Sequence, residues 1–130
     1  MEFQRIKSSE DIELFIKKTN SLHDGYIIGV QYTNDAITDV DENGYFMNPD
    51  AKRLVLRILI TSICDTIAEI EFDGTVEWQI IENQMEITDT SIIFNDKNFI
   101  VWSDDVFISM SELKNGSYVI ANSMKWRIVE

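Results

Sequence analysis

The sequence predicts an α+β domain in which an N-terminal helix packs on a mostly antiparallel, meandering β-sheet. Three observations carry that expectation. Apolar residues recur at three and four positions between Ser8 and Asn20. From Tyr26 onward the dominant period is two. Turn-forming pairs such as Asp73-Gly74 and Asn115-Gly116 punctuate the alternating runs.

The helical segment runs from Ser8 to Asn20. Ser8 or Ser9 can cap it, and Ser8 and Asp11 have capping-box spacing. Glu10 and Asp11 lie at the positive end of the helix dipole, and Lys17 and Lys18 at the negative end. Ile12, Phe15 and Ile16 form one apolar stripe, and Asn20 is a terminator.

Strand patterns follow. Tyr26, Ile28, Val30 and Tyr32 alternate with Gly29, Gln31 and Thr33, which predicts one face for the first four. A polar stretch from Asn34 to Asp50 comes next. Leu54, Leu56, Ile58 and Ile60 alternate with Val55, Arg57, Leu59 and Thr61. That strand is apolar on much of both faces, so it belongs in the middle of the sheet. Ala68, Ile70 and Phe72 alternate with Glu69 and Glu71, whose carboxylates read as a solvated face. Asp73-Gly74 reads as a tight hairpin turn before Val76, Trp78 and Ile80. Asn95 to Asn98 predicts a second hairpin, between residues 92–94 and 99–102. The last strand carries Met124, Trp126 and Ile128 opposite Lys125 and Arg127. Thr75–Gln84 and Ser109–Lys114 could each hold a short helix. The alternation around Trp78, Trp102 and Trp126 favours core anchoring over an exposed aromatic patch. With no repeat, linker or composition break, residues 1–130 read as a single domain.

Charge limits the partners. Asp and Glu number 23 against 11 Lys and Arg, a formal net charge of −12. Such a surface repels nucleic acid and anionic membranes, and favours a basic protein partner. No window is long and apolar enough to span a bilayer. Met1-Glu2-Phe3-Gln4-Arg5 has no apolar stretch behind it, which argues against a signal peptide. Cys64 is the only cysteine, so the expectation is a reducing, cytoplasmic setting with Cys64 as a small core residue.

Two motifs are candidates for chemistry. Asp39-Val40-Asp41-Glu42-Asn43-Gly44 has the spacing of a calcium loop, with Asp50 at the twelfth position. Asp39, Asp41 and Asn43 would give side-chain oxygens, Tyr45 its carbonyl, and Asp50 would replace the usual bidentate Glu. The flanks have period two, where an EF-hand needs helices. A long polar hairpin loop is the plainer expectation. The second motif is Leu22-His23-Asp24, just after the helix. His23 is the only histidine, and with Asp24 it could form the acid–base pair of a small hydrolase. Adjacent residues on an extended chain point to opposite faces, which favours separate bonds to backbone groups instead. No Gly-rich phosphate loop or G-x-S-x-G elbow occurs.

A helix, then Leu22-His23-Asp24, then a meandering sheet resembles small bacterial α+β domains of the immunity-protein type. That resemblance implies a non-enzymatic, protein-binding function, the inhibition of a basic toxin, with no cofactor. It assigns a role to no individual residue.

Overall fold

The computed structural model describes residues 1–34, 37–41, 44–47, 51–82, 85–106 and 109–129. After a two-residue strand, β1 (Gln4–Arg5), comes helix α1 (Ser9–Thr19). Ser8 caps it: its hydroxyl accepts from the Asp11 N–H, while the Asp11 carboxylate accepts from the Ser8 N–H. Asn20 ends it in a left-handed conformation, φ 51°, and donates its N–H to the Ile16 carbonyl. Phe15 is fully buried, and its ring meets the edge of Trp126 at 5.3 Å between centroids.

Eight strands build the main sheet. Besides β1 they are β2 (Gly25–Asn34), β5 (Lys52–Ile60), β6 (Thr66–Gln79), β7 (Glu86–Ile87), β8 (Ser91–Phe94), β9 (Ile100–Ser103) and β10 (Tyr118–Val129). Their order is β7-β2-β5-β6-β10-β9-β8, and every pairing is antiparallel. β5 is an interior strand, third along the path, as its apolar content predicts, although only one of its faces is fully buried. The intervening β3 (Ile37–Asp41) and β4 (Gly44–Met47) form a separate two-stranded hairpin.

The path has to curl. β7 and β8 lie at its opposite ends, yet only residues 88–90 connect them. Seven strands laid flat would separate those ends by about 29 Å. The connection reaches about 15 Å at most. Curling brings Ile87 and Ile92 into one core with Leu56, Ile58, Ile70 and Trp102. A second, smaller cluster of Val101, Leu113, Tyr118 and Ile120 lies under the short helix α2 (Met110–Leu113), within the Ser109–Lys114 segment read as a possible helix.

Two bulges change what alternation alone suggests. In β2, Ile27 pairs with Ile58 and Gly29 with Arg57, so Ile28 is an extra residue and is 52% exposed. The slip exchanges the faces of the strand. Ile27 shares a face with Ile58, while Val30 and Tyr32 share one with Leu56 and Leu54, and Tyr26 lies on the other. The row from Tyr26 to Tyr32 is therefore split rather than single-faced. In β6, Thr75 pairs with Ala121 and Glu77 with Ile120, which leaves Val76 extra and 58% exposed. Asp73-Gly74 does not close a hairpin. Gly74 adopts φ 68° inside one fourteen-residue strand, next to the bulge. A left-handed glycine serves a bulge as well as a turn, which is why the pair misleads.

The Asn95–Asn98 hairpin forms as predicted, with Phe94 opposite Ile100 and the Asn95 carboxamide oxygen accepting from the Lys97 and Phe99 N–H groups. Trp102 and Trp126 are buried; Trp78 is half-buried against the Tyr32 ring at 5.3 Å. Cys64 is not a core residue. It sits exposed in the β5–β6 turn at φ 47°, because the buried run ends at Ile60.

Asp104 carries a prediction of its own. It is only 8% exposed, and burial raises its carboxyl above the ordinary 3.8 despite a bond from the Ser117 N–H. The folded state therefore binds this proton more tightly than the unfolded chain does. Stability is fully present below the ordinary value and is lost as pH rises through the raised one. Asp104→Asn should raise the melting midpoint at neutral pH, and the gain should vanish as the buffer is taken to pH 3.8.

Candidate functional site

The Leu22-His23-Asp24 motif falls in a loop between α1 and β2 with unusual backbone geometry. Asn20, Ser21, Leu22 and Asp24 all have φ between 51° and 57°. Asn and Asp tolerate that region, but a branched apolar residue there costs about 1–2 kcal/mol. Leu22 stays because its side chain is fully buried, and the surrounding bonds fix the loop. Thr61 donates its hydroxyl to the Asp24 carbonyl at 2.8 Å, and Ser62 donates to the His23 carbonyl at 2.7 Å. Thr90 donates its N–H to the Ser21 carbonyl at 2.9 Å.

These tethers place His23 over the connection that closes the curled sheet. Its Nδ1 is 2.7 Å from the Thr88 carbonyl oxygen, which can only accept, so Nδ1 carries a hydrogen. Nε2 lies 3.6 Å from an Asp24 carboxylate oxygen, and Nδ1 lies 3.9 Å from one of Asp89. Asp24 reaches its neighbour because φ 55° takes it out of the extended conformation. The expectation that the two side chains point apart thus fails, whereas that of a His23 bond to backbone holds. The His23 pKa is raised above 6.5, first by the Thr88 bond and then by Asp24, with Asp89 and Glu86 adding to it against desolvation. A general base needs a lone pair aimed at a substrate. Here both ring nitrogens face acceptors, an arrangement that favours the imidazolium.

The second constellation lies on the sheet's other face. Glu69 accepts from Arg57 and Arg127, each at 3.0 Å. Glu71 lies 3.1 Å from Arg53 and 2.6 Å from Lys125, and Asp73 lies 3.1 Å from Arg53. The register produces this ladder: Arg57, Glu69 and Arg127 are direct cross-strand partners, as are Glu71 and Lys125. The Phe3 ring stacks beneath Lys125 and Arg127, at 4.9 and 4.5 Å. Glu69 and Glu71 keep only 13% and 12% of their side-chain surface, so they are not the solvated carboxylates that alternation suggests. Nor are they poised as an acid–base pair, since each already carries two cations. A hollow of about 260 Å³ beside this ladder is lined by Met1, Arg127, Ile128 and Val129, with none of the sequence-predicted site residues.

Of the calcium-loop residues, Asn43 and Asp50 lie outside the described residues. Asp39 and Asp41 fall on β3 and Tyr45 on β4, with Asp41 opposite Gly44. The backbone of the described residues there is a two-stranded hairpin, where the sequence predicts a long polar loop. Among the described residues no three His, Cys, Asp or Glu side chains gather as a metal cluster. No described helix is long and apolar enough to cross a membrane. Comparison with family models, curated proteins and solved structures finds no match to this chain.

Proposed function

We propose that this chain is a non-enzymatic protein-binding domain that works in the cytoplasm and takes a basic protein partner, as an inhibitor of the immunity type does. The distribution of charge carries this reading. Four of the 11 basic residues, Arg53, Arg57, Lys125 and Arg127, are committed to Glu69, Glu71 and Asp73. Those four cations face only three carboxylates, so the whole negative excess lies with the other residues and can steer a cationic partner. His23, the one candidate for acid–base work, is occupied by Thr88 and Asp24. The exposed free thiol of Cys64 suits a reducing compartment.

A native pull-down at low salt, followed by stopped-flow binding of the purified recovered protein, tests the reading. The expected partner is basic, and its association rate falls steeply as salt rises. Recovery of no protein, or a rate indifferent to salt, would overturn it. A second reading, calcium held by Asp39, Asp41, Asn43, the Tyr45 carbonyl and Asp50, rests on their spacing. Calcium bound only by the folded state must raise the melting midpoint. No shift at millimolar calcium removes that reading.

A further inference from the structure

We propose that His23 is a proton-operated latch on the seam where the two ends of the curled sheet meet: charged, it holds the 88–90 connection against the 20–24 loop, and neutral, it lets that seam open locally.

The geometry singles out this position. Three bonds cross the seam from the loop side: His23 Nδ1 to the Thr88 carbonyl, the Thr90 N–H to the Ser21 carbonyl at 2.9 Å, and the Ser21 hydroxyl to the Thr90 carbonyl at 3.4 Å. Only the first involves a group that can change charge. The Thr90 hydroxyl continues to the Ser103 carbonyl at 2.8 Å, so the same connection is also fixed to β9. Every charged group that acts on the imidazole is a carboxylate: Asp24 on its own loop, Glu86 on β7 and Asp89 on the connection. On the β5–β6 turn the Thr61 and Ser62 hydroxyls bond the Asp24 and His23 backbone carbonyls, and the turn's one charged residue, Asp65, is another carboxylate. Charging His23 thus draws the loop and the connection together. Losing the proton keeps the Thr88 bond but discards the attraction across the seam to Asp89 and Glu86, while Asp24 travels with the His23 loop. The cost of the left-handed Leu22 backbone is recovered when this segment unfolds locally.

The direction of the effect follows from linkage. A histidine whose pKa is raised in the folded state contributes its full stabilisation below 6.5, and that contribution is lost as pH rises through the raised value. The seam should therefore be tight in mild acid and looser in mild alkali.

Amide hydrogen exchange at Thr90, corrected for intrinsic base catalysis, reads the opening directly. Protection should fall as pH rises through the His23 titration, while the β5–β6 amides stay level. The size of the fall is bounded in advance: at most tenfold for each pH unit between the His23 midpoint found by NMR and 6.5, because the Asp24 share of the shift stays within the loop. Added salt should shrink both quantities together. His23→Gln, which keeps a neutral donor, should flatten the Thr90 profile. Should that variant fail to fold, Asp89→Asn leaves the imidazole in place and should lower its midpoint and the Thr90 response in step, whereas Asp24→Asn should lower the midpoint with a smaller change at Thr90. A Thr90 profile that ignores pH while His23 titrates above 6.5 would overturn the latch. So would an unchanged pH dependence in His23→Gln.

Discussion

Trp126→Ala is expected to cost about 4 kcal/mol, the scale set by truncating a fully buried indole. Trp126 is 1% exposed and sits in β10 between Ile70 and Gln4. Its ring is also the surface that Phe15 meets edge-on, at an interplanar angle of 73°. Removing it loses the transfer energy of the indole, leaves a cavity, and forfeits an aromatic contact of about 1 kcal/mol. Domains of this size are stable by only about 5–15 kcal/mol, so the loss is a large part of the whole. Urea unfolding followed by circular dichroism should show a much lower midpoint. Trp78→Ala is the control: that ring is half-buried, and its loss should cost clearly less. Equal costs for the two would contradict the packing described above.

Gly25→Ala ranks second. Gly25 opens β2 between Ile60 and Ile87, at the foot of the His23 loop. A Cβ there would lie 2.6 Å from the Leu22 carbonyl oxygen and 3.0 Å from Ile58 Cγ2. The first obstacle is backbone, held in place by a buried side chain and by neighbours bonded to Thr61, Ser62 and Thr90, so it cannot swing aside. Overpacking of this kind costs about 3 kcal/mol. Alanine restricts the unfolded chain and returns about 0.5 kcal/mol, too little to reverse the sign. Gly29→Ala isolates the steric part. Its Cβ would meet Arg57 Cβ at 3.5 Å, an ordinary contact, and its midpoint should stay close to that of the parent.

Much of this architecture was legible because local rules and tertiary structure agree. Ser8 and Asp11 form the capping box their spacing implies, and Asn20 stops the helix. β5 lies inside the sheet between β2 and β6, with Leu54, Leu56, Ile58 and Ile60 buried on one face and Val55 and Leu59 half-buried on the other. The rest depended on information that no local window holds. The extra residues Ile28 and Val76 are apolar, so nothing in composition marks them as bulges, yet each reverses which neighbours face the core. Glu69 and Glu71 look like ordinary solvated positions until the register sets them between cations from two other strands. The His23–Asp24 approach required a left-handed Asp24, and that conformation comes from a tertiary bond to Thr61 rather than from the tripeptide. The curl itself was hidden, since it follows from strand order and not from strand content.

β10 has consequences for how the chain matures on the ribosome. Tyr118–Val129 pairs with β6 along its length, with β9 over its first residues and with β1 near its end. Until that segment emerges, β6 and β9 carry naked edges, Glu69 and Glu71 lack Arg127 and Lys125, and Phe15 has no indole to rest against. A nascent chain stalled before residue 118 should therefore be sticky and protease-sensitive, and folding should come as one late event rather than strand by strand during translation.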